Sequence, residues 1–261
     1  MAQYILEHES EAKRLEFQAT IPQYSLENEL KYFLPFTGSK ILDIGCGTGL
    51  LSRYLAEKFS EVQIDACDLS ELRLAEAKKL CRLPAHHKIN FFPANFDQLD
   101  IEDNTYDFVV IRYVLEHLNN PLRAISEARR ILRPGGSLYV IDFDGIFLNL
   151  FSDNEELTQY LKKIESNFAG DLRIGHKIPT YLKKNNFSQI NYHVDVMQFK
   201  GHETELELRN NQERCRNCFN EFSRILGGSE IADRFVKLYL DESVKEGNVL
   251  CFNKFIVTAK K

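Results

Sequence analysis

The sequence predicts an α/β protein wound on both faces of a mostly parallel sheet, and three stretches carry that expectation. ILDIGCGTGLLSRYL (41–55) reads as a buried strand, a glycine-rich turn and the first turns of a helix. VQIDACDLSEL (62–72) repeats the pattern: Val62, Ile64 and Ala66 alternate up to Asp68, and Ser70 is placed to cap a helix over 71–82. Tyr106 to Arg112 is a largely apolar run, as in a central strand covered on both faces.

The first stretch is a binding site. Ile41, Leu42 and Ile44 are its strand residues, and Asp43 lies at the carboxyl end, where an open parallel sheet presents its ligand crevice. Gly45, Gly47 and Gly49 permit positive φ and let a ligand approach the backbone. Leu51, Leu55 and Phe59 then recur every fourth residue, so a helix opens with its free N–H groups toward the turn. The dinucleotide fingerprint G-x-G-x-x-G does not fit, because Leu50 and Ser52 stand where its third glycine is required. Asp43 would also repel a pyrophosphate, whereas it suits a ligand carrying an ammonium and a sulfonium.

At 261 residues the chain holds one generous α/β domain plus a small cap. A net charge of −5 gives no broad electrostatic footprint for nucleic acid or an anionic membrane. No apolar run reaches the roughly 18 residues of a spanning helix. The opening MAQYILEHESEAKR is too charged for a signal peptide, so a cytoplasmic location is expected. Cys215 and Cys218 form a lone C-x-x-C with no second pair or histidine at metal spacing, and no metal site is expected.

Asp43, Gly45, Gly47 and Gly49, as D-x-G-x-G-x-G, resemble the first motif of the class I S-adenosylmethionine-dependent methyltransferases. Asp68, about 20 residues past the turn at the end of the second strand, and the Arg133-Pro134-Gly135-Gly136 corner complete the resemblance, which spans roughly 1–200 and the terminal strand. It implies S-adenosylmethionine as cofactor and a Rossmann-like seven-stranded sheet of order 3-2-1-4-5-7-6 with the seventh strand antiparallel. The domains expected are an N-terminal helical arm or lid (1–38), a cofactor-binding domain (39–202 and 248–261) and a helical insertion (203–247) that reads either as a substrate cap or as a packing or dimerisation element.

The resemblance assigns roles residue by residue. Cys46 lies within the turn, Asp68 is expected to hold the ribose hydroxyls, and Leu69 to contact the adenine. Asn95 and Phe96 stand where the family has an Asp and its neighbour beside the adenine; Asn95 keeps a carbonyl acceptor and reads equally as a turn residue. Helices are expected around 7–21 and 25–34, the second capped by Ser25. Glu11, Arg14, Leu15 and Gln18 match an E-x-x-R-L-x-x-Q arm that closes over the cofactor, with Tyr4, Arg14 and Gln18 offering groups to its polar end. Arg112, Tyr113, Glu116 and His117 are placed near the methyl group. Arg112 is a candidate for both cofactor binding and catalysis, Tyr113 for catalysis, and His117 is either a general base or a residue that orients the loop. Asp142 and Asp144 end the fifth strand, as substrate-facing groups or exposed loop acids.

The activity implied is methyl transfer to an acceptor, with a small molecule favoured by the acidic charge. An RNA or protein methyltransferase and a catalytically silent, cofactor-binding partner subunit are the alternatives, and a homodimer stays open.

Overall fold

A computed structural model describes residues 8, 10–59, 61–82, 88–199 and 202–261; Tyr4, assigned above to the cofactor's polar end, lies outside the described residues. The arm supplies α1 (Glu11–Gln18) and a single turn, α2 (Leu26–Glu29). The helix expected over 25–34 therefore stops early, and Ser25 makes no side-chain cap. The Tyr139 hydroxyl donates to the Glu29 carbonyl at 2.7 Å, occupying the acceptor that a continuing helix would offer to the Phe33 amide. That amide bonds to Leu30 instead.

From β1 (Lys40–Ile44) the chain alternates strand and helix through α3 (Leu50–Lys58), β2 (Gln63–Asp68), α4 (Glu71–Leu80), β3 (Ile89–Pro93), β4 (Tyr106–Arg112), α5 (Pro121–Ile131) and β5 (Leu132–Asp144). Ser70 caps α4 by accepting from the Arg73 amide. β5 begins before the proline-glycine corner, because Leu132 already pairs with Tyr106, and a break in register before Phe108 and Ser137 absorbs the intervening residues. There follow α6 (Glu155–Asn167), α7 (Ile178–Lys184), β6 (Ser188–Gln198), the helices α8 (His202–Asn217), α9 (Phe219–Leu226) and α10 (Ser229–Ser243), and β7 (Cys251–Lys260).

The sheet has seven strands in the order β3-β2-β1-β4-β5-β7-β6, with β7 antiparallel to both its neighbours. Strand alternation divides the core. Leu42, Ile44, Val109 and Ile111 pack toward α5 and α7, while Ile41, Phe108 and Val110 pack toward α3 and the arm residues Leu30 and Phe33. A third cluster joins Ile21 and Tyr24 of the arm to Phe143 near the end of β5, to Phe147 beyond it, and to Phe222, Phe235 and Tyr239 of the insertion. The arm and insertion thus share a core, although they lie near opposite ends of the chain. The chain leaves β1 for β2 and β3 on one side and returns to β4 on the other, so a crevice opens where β1 and β4 meet.

Candidate functional site

The turn after β1 is held from beneath. The Gly45 and Cys46 amides both donate to the Cys67 carbonyl, at 2.8 and 3.0 Å. A β-carbon on Gly45 would lie 2.3 Å from Val114 Cγ2, and one on Gly49 3.0 Å from the Phe91 ring, so these two glycines are required by the protein's own packing. Gly47 differs: the nearest atom to such a carbon is on Leu15 of the arm, at 3.6 Å. Gly45, Cys46 and Gly47 line the main cavity, whereas Gly49 lies behind it.

Asp43 and Asp68 share this cavity. Asp43 is buried, and its Oδ2 accepts from the Ser52 hydroxyl at 2.6 Å. Burial pushes its carboxyl up to about 6, against the pull of the Ser52 hydrogen bond and the Arg112 charge. Asp68 accepts from the Gly47 amide at 2.8 Å through one oxygen and from the Ser70 amide at 2.9 Å through the other, and burial raises its carboxyl as well. Each oxygen retains acceptor capacity toward the cavity. Leu69, 45% exposed, continues the wall beside Asp68.

Asn95, Phe96, Arg112, Tyr113 and His117 close the far side, with Leu15 and Gln18 contributed by the arm. Asn95 Oδ1 accepts from the Asp97 amide at 3.0 Å, the geometry of an Asx turn, so its acceptor is already partly engaged. Tyr113 stacks on Phe143 with ring centroids 4.0 Å apart, and its hydroxyl donates to Glu29. His117 stands 3.4 Å from Glu116, where this cavity meets a smaller one lined by Phe143, Phe147, Arg214 and Cys218.

Arg14 is not on the wall of the main cavity. It pairs with Glu11 and donates to Gln18 at 2.7 Å and to Asn210 of α8 at 3.0 Å. Arg214 extends this buried network by pairing with Glu207 at 3.2 Å and donating to Gln18 at 3.1 Å, and the Tyr24 hydroxyl donates to Glu207 at 2.9 Å. Asp142 is fully buried, accepting from the Leu115 and Phe143 amides at 2.9 Å each; burial and the adjacent Glu116 raise its carboxyl. Asp144 is bonded by His176 and faces Arg173. Neither is an exposed loop acid. Cys215 and Cys218 are buried free thiols, and burial pushes Cys215 up to about 12.

Sequence reasoning missed Glu29, Ser52 and Val114. Glu29 falls within the helix expected over 25–34 with nothing local to single it out, yet it is buried and accepts from Arg112, Tyr113 and Lys254. Ser52, nine positions beyond Asp43, had a readable signal in its place in the first turn of a helix that starts at the glycine turn.

This strand order, with acids at the ends of β1 and β2 around a glycine turn, defines the class I S-adenosylmethionine-dependent methyltransferase fold. Residues 42–140 match the family model described as a methyltransferase domain. A malonyl-[acyl-carrier protein] O-methyltransferase of Halalkalibacterium halodurans is 35% identical over 106 residues, covering 40% of this chain and 38% of that protein. The ubiquinone/menaquinone biosynthesis C-methyltransferase UbiE of Roseobacter denitrificans is 30% identical over 118 residues, covering 45% and 47%. The chain therefore spans less than half the length of these curated relatives. Among solved structures, a Haemonchus contortus phosphoethanolamine N-methyltransferase 2, in complex with phosphomonomethylethanolamine and S-adenosylhomocysteine, superposes with a TM-score of 0.62 at 21% identity, covering 98% of this chain and 59% of the other. That likeness is one of fold.

Proposed function

We propose that the chain transfers the methyl group of S-adenosylmethionine to a small-molecule acceptor. One observation carries the reading: two carboxylates, the buried Asp43 and the half-buried Asp68, flank the glycine turn in a single cavity, and that cavity runs on into an apolar compartment under the arm and insertion. The cofactor brings a methyl group on a sulfonium; the acceptor's nucleophile bonds to the methyl carbon as the S–C bond breaks, its electron pair passing to sulfur to leave S-adenosylhomocysteine.

The residues present fit this ligand. Asp68 accepts from adjacent ribose hydroxyls with the lone pairs left by Gly47 and Ser70, and Asp43 faces the ammonium. Leu69 and Phe96 flank the adenine, with Asn95 at its edge. Tyr113 and His117 border both cavities and meet the acceptor on its way to the methyl group. Alignment supplies the catalysis, since sulfonium leaves readily and the second compartment orients the nucleophile. Arg14 serves by fixing the arm on α8, and Gln18, which touches both that network and the cavity, links the cover to the cofactor. Among the described residues no helix is long and apolar enough to cross a membrane; the cytoplasmic location expected from the sequence stays part of the proposal.

Calorimetry tests the reading. S-adenosylhomocysteine is expected to bind with one site per chain and NAD not at all, and tight NAD binding without a response to S-adenosylhomocysteine would overturn it. Incubation with labelled S-adenosylmethionine and a metabolite extract, followed by mass spectrometry, is expected to label a small molecule. Label in RNA or protein alone would move the acceptor to those classes, and binding with no label in any fraction would favour a silent partner subunit.

A further inference from the structure

We infer that the outer edge of β6 is the surface on which two copies of this chain pair, strand to strand about Val194, into one continuous sheet. The inference goes beyond the methyltransferase reading and does not depend on it.

The sheet ends in two edges of different character. β3 closes one of them with five residues, the last of which is Pro93. A short strand ending in proline is a poor template for another chain. β6 closes the other with eleven residues, Ser188–Gln198, which include no proline, glycine, lysine or arginine. Its one irregularity of register, between Ser188 and Asn191, is confined to its start. Among the described residues β6 pairs only with β7, so its outer N–H and C=O groups meet no strand. An edge of this length with nothing to blunt it recruits a further strand.

The side chains agree. At Ile190 one face of β6 packs on the core cluster that holds Ile178 and Leu182 of α7. Beyond it Tyr192, Val194 and Val196, spaced two apart and hence on that same face, are 64%, 37% and 56% exposed. Single apolar residues on a surface are ordinary, but three in line on an unpaired strand form a patch. On the opposite face His193 Nε2 and Asp195 Oδ1 are bonded to each other at 2.7 Å.

This pattern is complementary to itself. A two-fold axis normal to the sheet and passing through Val194 sets β6 antiparallel to its copy. Val194 then opposes the partner's Val194, Tyr192 opposes the partner's Val196, and His193 opposes the partner's Asp195. Apolar meets apolar on one face, and on the other an acid meets an imidazole in both directions. An axis through His193 would set two imidazoles against each other, and one through Asp195 would oppose two carboxylates. The cavity at the ends of β1, β2 and β4 lies on the far side of β5 and β7, so pairing leaves it whole in each copy.

Sedimentation equilibrium of the full chain tests the pairing. The parent is expected at twice the 30.3 kDa of one chain. Val194→Lys and Val194→Glu each set like charges against one another on the axis, and both are expected at the mass of one chain with an unchanged circular dichroism spectrum. An equimolar mixture of the two is expected to return to twice that mass, because the substituted side chains then carry opposite charge. The double variant Val194→Thr, Val196→Thr keeps β-branched side chains but removes apolar contact, and is expected to dissociate roughly tenfold more readily than the parent. A parent at the mass of one chain would overturn the inference and leave the edge to a different partner. A dimer unaffected by the charged or the threonine variants, or a mixture that stays at the mass of one chain, would overturn it as well.

Discussion

The Ser52 hydroxyl donates to Asp43 Oδ2 at 2.6 Å, joining the first turn of α3 to the end of β1 across the glycine turn. Burial overrides this hydrogen bond and holds the Asp43 carboxyl near 6, above its ordinary value of 3.8. The contribution to stability is therefore fully present below the unfolded value and is lost as pH rises through about 6, a change of about 3 kcal/mol. Ligand binding runs the other way. Besides Ser52, the groups facing Asp43 are Arg112 and Asp68, and an ammonium arriving beside them favours the ionised carboxylate. Affinity for S-adenosylhomocysteine is expected to rise about tenfold between about pH 5 and 7.5, with proton release below about 6, and Asp43→Asn to flatten the profile. Calorimetry in buffers of different ionisation enthalpy measures both; an unaltered protein with no pH dependence would remove Asp43 from the ammonium site.

Asp68→Ala is expected to weaken S-adenosylhomocysteine binding by about 1.5–3 kcal/mol, the range for hydrogen bonds to a charged group. Asn95→Ala should cost less, because the Asn95 carbonyl already serves the Asp97 amide. Titration of both variants checks the order, and the reverse order would exchange the ribose and adenine assignments.

Gly45→Ala places a methyl group 2.3 Å from Val114 Cγ2 at a backbone φ of +73°. Overpacking of this kind costs typically about 1–3 kcal/mol, and the left-handed conformation a further 1–2 kcal/mol. Denaturant unfolding is expected to show that loss. Adding Val114→Ala should recover part of it, and a double variant no more stable than Gly45→Ala would place the cost in the backbone alone.

Arg214→Met leaves Glu207 buried without its cation, a loss of about 3–5 kcal/mol. The same network fastens α1 to α8, so the helical cover is expected to open as a unit. Hydrogen exchange should show the amides of α1 and α8 slowing together when S-adenosylhomocysteine is added and exchanging together when Arg214 is lost. Protection of α1 that ignores the ligand would make the arm a permanently docked layer.

The sequence made legible what short-range periodicity encodes. Asp43 and Asp68 stand at the ends of strands whose alternation is visible, and Ser70 declares a helix start by its distance from Leu74 and Ala77. Nothing local marks Glu29 as the partner of Arg112, 83 positions away, or Gln18 as the partner of Arg214, 196 positions away. Such pairs exist only once the fold has brought the elements together, and a buried polar side chain then looks in sequence like any exposed one. α2 fails to extend for the same kind of reason, since the Tyr139 hydroxyl that diverts the Glu29 carbonyl comes from β5. The arm motif was readable as a pattern, but the direction in which Arg14 points was not.

The bonding of α1 to α8 also bears on how such a protein changes specificity. Glu11, Arg14 and Gln18 are matched atom for atom to Asn210, Arg214 and Asn217, so an insertion exchanged from a relative would bury unmatched charges against the resident arm. Transplanting residues 202–243 alone should yield an unstable chimera, and carrying residues 10–24 with them should restore it. The two segments thus form one cassette, in which a change on either side of the seam demands an answering change on the other.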